Sequence, residues 1–192
     1  MDLPLQPTAP VTLDPNIAHP QLSVSDDLTT VRHTGVEQQL PDNPERFGLY
    51  AIVLGSEGFN SGKHSWEVEV GDRPEWDVGV AAESVKRKGE ITCSPEAGFW
   101  VVSLRNNDKY TACGSTLRLE RKPQRIRVQL DYDRGEVSFI NPTDMSLIYT
   151  LKDTFTGTLF PYFSTGGYED GSNAGDMKIC PVKVCVTVTS SQ

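Results

Sequence analysis

The stretch His64-Ser65-Trp66-Glu67-Val68-Glu69-Val70-Gly71, followed after a short break by Trp76-Asp77-Val78-Gly79-Val80-Ala81, decides the fold. Trp66, Val68 and Val70 share one face of the first run, and Glu67 and Glu69 share the other. In the second run Trp76, Val78 and Val80 lie opposite Asp77, Gly79 and Ala81. A period of two over this length predicts half-buried antiparallel strands. The break, Gly71-Asp72-Arg73-Pro74-Glu75, is rich in turn formers, so the two runs are expected to pair as a hairpin.

The same pattern extends in both directions. Upstream, Gln21–Ser25, Thr29–His33 and Ala51–Leu54 read as short strands, and residues 34–47 read as a long loop with Gly35, Pro41, Asp42 and Pro44. Asp14 followed by Pro15 suits the cap of a short helical turn. Downstream, Trp100, Val102 and Leu104 alternate with Val101, Ser103 and Arg105, and Ile126, Val128 and Leu130 alternate with Arg125, Arg127 and Gln129. Asp133-Arg134-Gly135 suits a hairpin loop with Gly135 at positive φ. Leu147–Leu151, Leu159–Ser164 and Met177–Val188 supply further strands, and residues 165–176 form a glycine-rich acidic loop. No long stretch carries the helical period. About a dozen short strands separated by turn signals predict an all-β, two-sheet antiparallel sandwich.

Composition narrows the function. A chain of 192 residues buries a two-layer core without metals or disulfides. A formal net charge of −8 disfavours nucleic acid and anionic membrane as partners. The N-terminal residues have neither a basic region nor an apolar core, so no secretion leader is expected, and no window reaches the length of a membrane span. Cys93, Cys113, Cys180 and Cys185 are irregularly spaced and read as reduced thiols. With His19, His33 and His64 they make no zinc-ligand spacing, and no calcium loop, P-loop or nucleophile elbow occurs, so neither a metal nor a cofactor is expected.

The motifs resemble a known family. Thr12-Leu13-Asp14-Pro15 with Ala18-His19-Pro20 is similar to the opening of a PRY segment. Val53-Leu54-Gly55, Ser61-Gly62-Lys63-His64, the two runs quoted above, Arg87-Lys88-Gly89, Ser94-Pro95-Glu96, Gly98-Phe99-Trp100, Leu130-Asp131-Tyr132-Asp133, Val137-Ser138-Phe139 and Phe160-Pro161-Tyr162-Phe163 resemble a SPRY domain, in that family's order. The chain is identified as a member of the PRY-SPRY domains of the tripartite-motif (TRIM) and butyrophilin group. Ser65 and Ile140 stand where Tyr is common and read as packing substitutions. The resemblance implies a bent, concanavalin-like jelly-roll sandwich with PRY at about 10–60 and SPRY at about 61–188, flanked by a linker at 1–9 and a tail at 189–192. It also implies a non-catalytic module that selects target proteins for a RING-type ubiquitin ligase. The parent would dimerise through a coiled coil and act in the cytoplasm or nucleus, with a role in innate immunity.

Several residues are candidates for contact or chemistry. In the family the partner surface is formed by loops, which here points to Glu83, Ser103, Arg105, Asn107, Tyr110, Tyr168 and Asp170. Tyr and Arg are also the residue types enriched at interface hot spots. Lys86-Arg87-Lys88 is a candidate basic patch for a phosphorylated or acidic ligand. Glu67 and Glu69 are roughly 6.5–7 Å apart along a strand, a separation compatible with a two-carboxylate hydrolase. A solvated strand face with paired counter-charges is the plainer reading of that pair, and core packing is the reading of Trp66, Trp76 and Trp100.

Overall fold

The computed structural model describes residues 10–167 and 175–181. It is built from thirteen strands and a single turn of 3-10 helix at Pro95–Ala97. One sheet has seven strands in the order β1 (Leu22–Val24), β2 (Thr30–His33), β13 (Met177–Ile179), β4 (Lys63–Glu69), β9 (Arg125–Asp131), β10 (Glu136–Asn141) and β11 (Ser146–Lys152). The other has six: β3 (Ile52–Leu54), β12 (Leu159–Ser164), β5 (Trp76–Ala82), β6 (Phe99–Arg105), β7 (Lys109–Ala112) and β8 (Ser115–Leu117). Every pairing is antiparallel. The expected all-β two-sheet sandwich is the fold observed.

The two central runs do not form the expected hairpin. β4 pairs with β9 and β13, whereas β5 pairs with β6 and β12 in the opposite sheet. Residues 71–75 therefore cross between layers. The reason lies in the faces: Trp66 and Val68 from one sheet and Trp76, Val78 and Val80 from the other join one buried cluster. Two strands paired side by side would have pointed these residues the same way; in facing sheets they close on each other.

A second correction concerns β5, which has no solvent face. Asp77, Gly79 and Ala81 are buried as well as the Trp76 stripe. The outer side of the six-stranded sheet is covered by the N-terminal segment, whose Ile17, Phe47, Ile52 and Leu54 pack with Ala81, Phe99, Val101 and Tyr162. The 34–47 stretch, irregular as expected, is mostly exposed, and only its end, Arg46 and Phe47, packs under the sheet. Arg46 fixes it, donating from its guanidinium to the Pro41, Pro15 and Ala18 carbonyls at 2.7–3.0 Å.

Other local expectations match. Asp14 Oδ1 accepts from the Asn16 N–H at 2.9 Å, but the segment makes only a turn. Gly135 takes φ 69°, and a Cβ there would lie 1.9 Å from the Asp153 carbonyl oxygen. Trp66, Trp76 and Trp100 are all core residues, and Trp100 Nε1 donates to Asp153 Oδ2 at 3.0 Å.

Gly79 marks the closest approach of β5 to β6. A Cβ at this position would sit 2.1 Å from the Trp100 carbonyl oxygen and 2.8 Å from Val101 Cα, both backbone atoms that cannot rotate away. Gly79→Ala is therefore expected to lower the unfolding free energy by about 3 kcal/mol or more, as read by urea denaturation. A midpoint equal to that of the wild type would show that β5 and β6 are not held at this separation.

Candidate functional site

Because β5 is buried on both sides, its one charged side chain needs an internal partner. Asp77 Oδ2 accepts from Arg105 Nη2 of the adjacent β6 at 2.9 Å, and Arg105 Nη1 also donates to the Leu104 carbonyl at 2.8 Å. Burial works against the Arg105 charge, but the Asp77 carboxylate outweighs it and leaves the guanidinium above its ordinary value. Arg105 remains half-exposed at the floor of a cleft of about 390 Å³. Ser103 and Ser164 line the same floor; Leu49, Tyr50 and Ile91 form apolar walls.

The thiol in this cleft, on an exposed residue, is held in its neutral form. Crowding by surrounding protein, followed by the nearby Asp77 charge, pushes Cys93 up to about 12, so the sulfur stays protonated. Burial likewise drives the Tyr162 hydroxyl well above its usual range. Among the described residues no group of three or more His, Cys, Asp or Glu could hold a metal ion. The cleft is equipped to receive a side chain by shape, charge and hydrogen bonding.

The crossover at 71–75 frames one edge of this cleft. Arg73 is 4% exposed, and its guanidinium donates to the Thr165 carbonyl at 2.6 Å and to the Gly175 carbonyl. Burial lowers Arg73 to about 10, against the favourable charges of Asp176 and Glu75, so it is cationic at neutral pH. Glu75 Oε2 accepts from the Gly167 N–H at 3.1 Å. One short segment thus grips the acidic loop from both ends.

The expected contact residues divide. Ser103 and Arg105 meet at the cleft. Glu83 is exposed on the 83–89 loop. Asn107 lies in the β6–β7 turn at φ 66° and its side-chain oxygen accepts from Lys122 Nζ. Tyr110 must be corrected: it is 6% exposed, packs against Trp76 with ring centroids 6.2 Å apart, and belongs to the inter-sheet core. Its position on β7 opposite Leu104 turns it inward with the core stripe. Tyr168 and Asp170 lie outside the described residues.

The basic patch does not assemble either. Arg87 stacks over Phe47, 5.0 Å from the ring centroid, and donates to the Glu83, Glu45 and Val85 carbonyls. Burial lowers its pKa. Lys88 pairs with Asp42 at 2.8 Å, and only Lys86 is left exposed. The carboxylate pair is also disarmed: Glu67 Oε1 accepts from Arg127 Nε at 2.9 Å and Nη2 at 2.5 Å, and Glu69 stands opposite Arg125 in the ladder. The hydrolase reading of Glu67 and Glu69 is therefore overturned by the counter-charges that the plainer reading anticipated.

Sequence reasoning missed a run of exposed apolar residues, of which Leu49 and Tyr50 line the cleft. Val36, Leu40, Leu49 and Tyr50 are four of the six large hydrophobic residues exposed among the described residues, and all lie in the 36–50 segment. The absence of strand periodicity there hid them. No helix among the described residues is long and apolar enough to cross a membrane.

Comparison with known proteins agrees with this architecture. The SPRY-associated domain PRY matches residues 11–59, and the SPRY domain matches residues 63–176. The chain belongs to the PRY-SPRY family. It is 48% identical over 172 residues to Nuclear factor 7, ovary, of Xenopus laevis, covering 88% of this chain and 28% of that protein. It is 43% identical over 178 residues to the E3 ubiquitin-protein ligase TRIM21 of Bos taurus, covering 90% of this chain and 38% of that protein. The PSpry domain of TRIM65 superposes with a TM-score of 0.75 at 22% identity, covering 91% of this chain and 90% of that one, a likeness of fold. The chain thus spans roughly a third of the length of the curated relatives it matches. TRIM proteins are among its relatives, and the PRY-SPRY domain is a binding module.

Two histidines give the domain a pH dependence. Burial lowers His19 and His33 below the ordinary value of 6.5, with the neighbouring Arg73 charge adding to the shift of His33. A lowered folded-state value means that the unfolded chain binds protons first as pH falls. Their contribution is fully present above about pH 6.5 and is lost progressively below it. Urea midpoints should decline between pH 7 and pH 5, before ordinary carboxylates titrate, and His33→Gln should flatten part of that slope. The Asp77–Arg105 pair gives a second outcome. Arg105→Gln strands a buried carboxylate and should cost about 1–3 kcal/mol. Adding Asp77→Asn should recover most of it, and a double variant as unstable as the sum would refute the coupling.

Proposed function

We propose that this PRY-SPRY chain is a target-recognition domain that captures a protein segment in the cleft between the β5–β6–β12 face and the 36–50 segment. The observation that carries this reading is the joining of a polar floor to an exposed apolar rim. Ser103 and Arg105 offer directional hydrogen bonds, and Leu49 and Tyr50, 52% and 40% exposed, offer area that only a partner would cover. Interface hot spots combine these two ingredients: an apolar or aromatic anchor and a satisfied polar group at its centre. Gly166 and Gly167 line the same cleft, and Glu75 holds the Gly167 N–H.

In a longer parent protein the domain would select substrates for a RING-type ubiquitin ligase. The likeness to a relative named as an E3 ubiquitin-protein ligase supports that role. Dimerisation would come from a coiled coil outside this chain, and the parent would work in the cytoplasm or the nucleus. Proximity labelling with the full-length parent tests the assignment. Leu49→Asp and Ser103→Arg, each checked for an unchanged melting temperature, should deplete the same labelled proteins. An identical set of labelled proteins with both variants would reject the cleft as the capture site.

A further inference from the structure

A second surface, sharing no residue with the cleft above, lies between the β8–β9 connection and the β10–β11 turn. Five of the chain's eighteen Lys and Arg residues fall in Arg118–Arg127, with Glu120 the single acid among them, in a chain of net charge −8. Part of this cluster is committed: Arg127 holds Glu67, and Lys122 donates to Asn107. Arg118 and Arg121 are exposed and make neither an ion pair nor a hydrogen bond with any described residue. They line a depression of about 440 Å³ whose other wall is formed by Ser146, Leu147 and Ile148.

Two features show that this depression is more than a solvated face. Met145 and Leu147, 57% and 63% exposed, are the remaining two of the six large hydrophobics exposed among the described residues; Leu147 lines the depression with the unpaired arginines, and Met145 lies in the adjoining turn, its sulfur accepting from Arg127 Nη1 at 3.7 Å. Met145 also takes φ 60°, a left-handed conformation that Gly or Asn adopts at little cost and Met does not. An apolar side chain is therefore held outward at the expense of local backbone energy. Glu120 and Asp144 also line the depression, but neither forms an ion pair with Arg118 or Arg121, and Asp144 Oδ1 accepts from Ser146 N–H at 3.0 Å and Oγ–H at 2.6 Å. That leaves the two guanidinium forks open to an external carboxylate.

We propose that this depression is a second docking site, which takes an acidic protein segment bearing an apolar side chain. Carboxylates of the segment pair with Arg118 and Arg121, whose planar forks accept them bidentately, and the apolar side chain covers Leu147 and Met145. Charge complementarity selects this occupant. A flat anionic surface would face the repulsion of the whole acidic domain, whereas a narrow segment can bring its carboxylates to the two unpaired guanidinium forks; Glu120 and Asp144, which line the same depression, moderate that attraction, so the apolar cover of Leu147 is needed beside it.

The test is fluorescence anisotropy on the full chain with a labelled peptide of about twelve residues, Glu- and Asp-rich around a central Leu-Phe pair. A peptide with Ser in place of that pair and a Lys-rich peptide serve as controls. Saturable binding is expected for the acidic apolar peptide. Arg118→Glu with Arg121→Glu should weaken it about tenfold or more, and Leu147→Ser about threefold or more. Arg134→Glu, a charge reversal at an exposed cation outside the depression, should change it less than about twofold. Equal losses from Arg134→Glu and from the depression variants would reduce the effect to bulk charge and overturn the site, as would binding indifferent to Leu147→Ser or no binding of the acidic peptide. Sedimentation with phosphatidylserine vesicles in preference to the peptide would replace the protein segment by a lipid surface and equally overturn the proposal.

Discussion

The constraint on which this structure turns is the burial of β5 on both faces. A sheet covered on one side by its partner sheet and on the other by the 17–54 segment cannot place an unpaired charge on its inner strands. Asp77 is that charge, and Arg105 on the next strand is what makes it tolerable. The pair does more than neutralise. Holding Arg105 by two of its own guanidinium nitrogens fixes its position at the cleft floor, so a target group would meet a guanidinium already ordered. The same double burial explains Gly79, since there is no room for a Cβ where β5 and β6 close up under the covering layer.

The crossover between the sheets follows from the same packing. Once β4 and β5 lie in opposite layers, the five residues joining them must traverse the edge of the sandwich, beside the exit of β12. Arg73 donates there to Thr165 and Gly175, and Glu75 accepts from Gly167. A buried arginine solvating carbonyls costs desolvation, which shows in its lowered pKa. It returns a fixed anchorage at Thr165 and Gly175.

Strand existence was legible because it rests on period-two alternation, which backbone geometry imposes locally. The β9–β10 hairpin was legible for a similar reason: Gly135 satisfies a turn that only a residue free at positive φ can make. Which strand pairs with which was not legible at 71–75. Turn-forming residues serve a hairpin and a crossover alike, and only the global closing of the Trp66 and Trp76 faces distinguishes them. The site was half legible. Ser103 and Arg105 alternate with a core stripe and so announce an outer face, but that logic fails for Tyr110, where strand register directs the ring inward. Arg87 was unreadable as a structural residue because its partners are Phe47 and backbone carbonyls far apart in sequence.

The exposed apolar residues sort themselves by charge. Leu49 and Tyr50 share their cleft with Glu75, Asp77 and Arg105, the arginine tied to Asp77; Leu147 shares its depression with Arg118 and Arg121, which make no ion pair, and with Glu120 and Asp144. Apolar area supplies attraction without direction, and the neighbouring charges decide which surface can settle on it. The two sites differ in how far their guanidiniums are already paired, so the same segment would not suit both equally. A single small domain with two unlike apolar sites can hold two different segments at once, or two parts of one partner. In the second case the effective concentration set by their separation, more than either contact alone, would determine how long the partner stays.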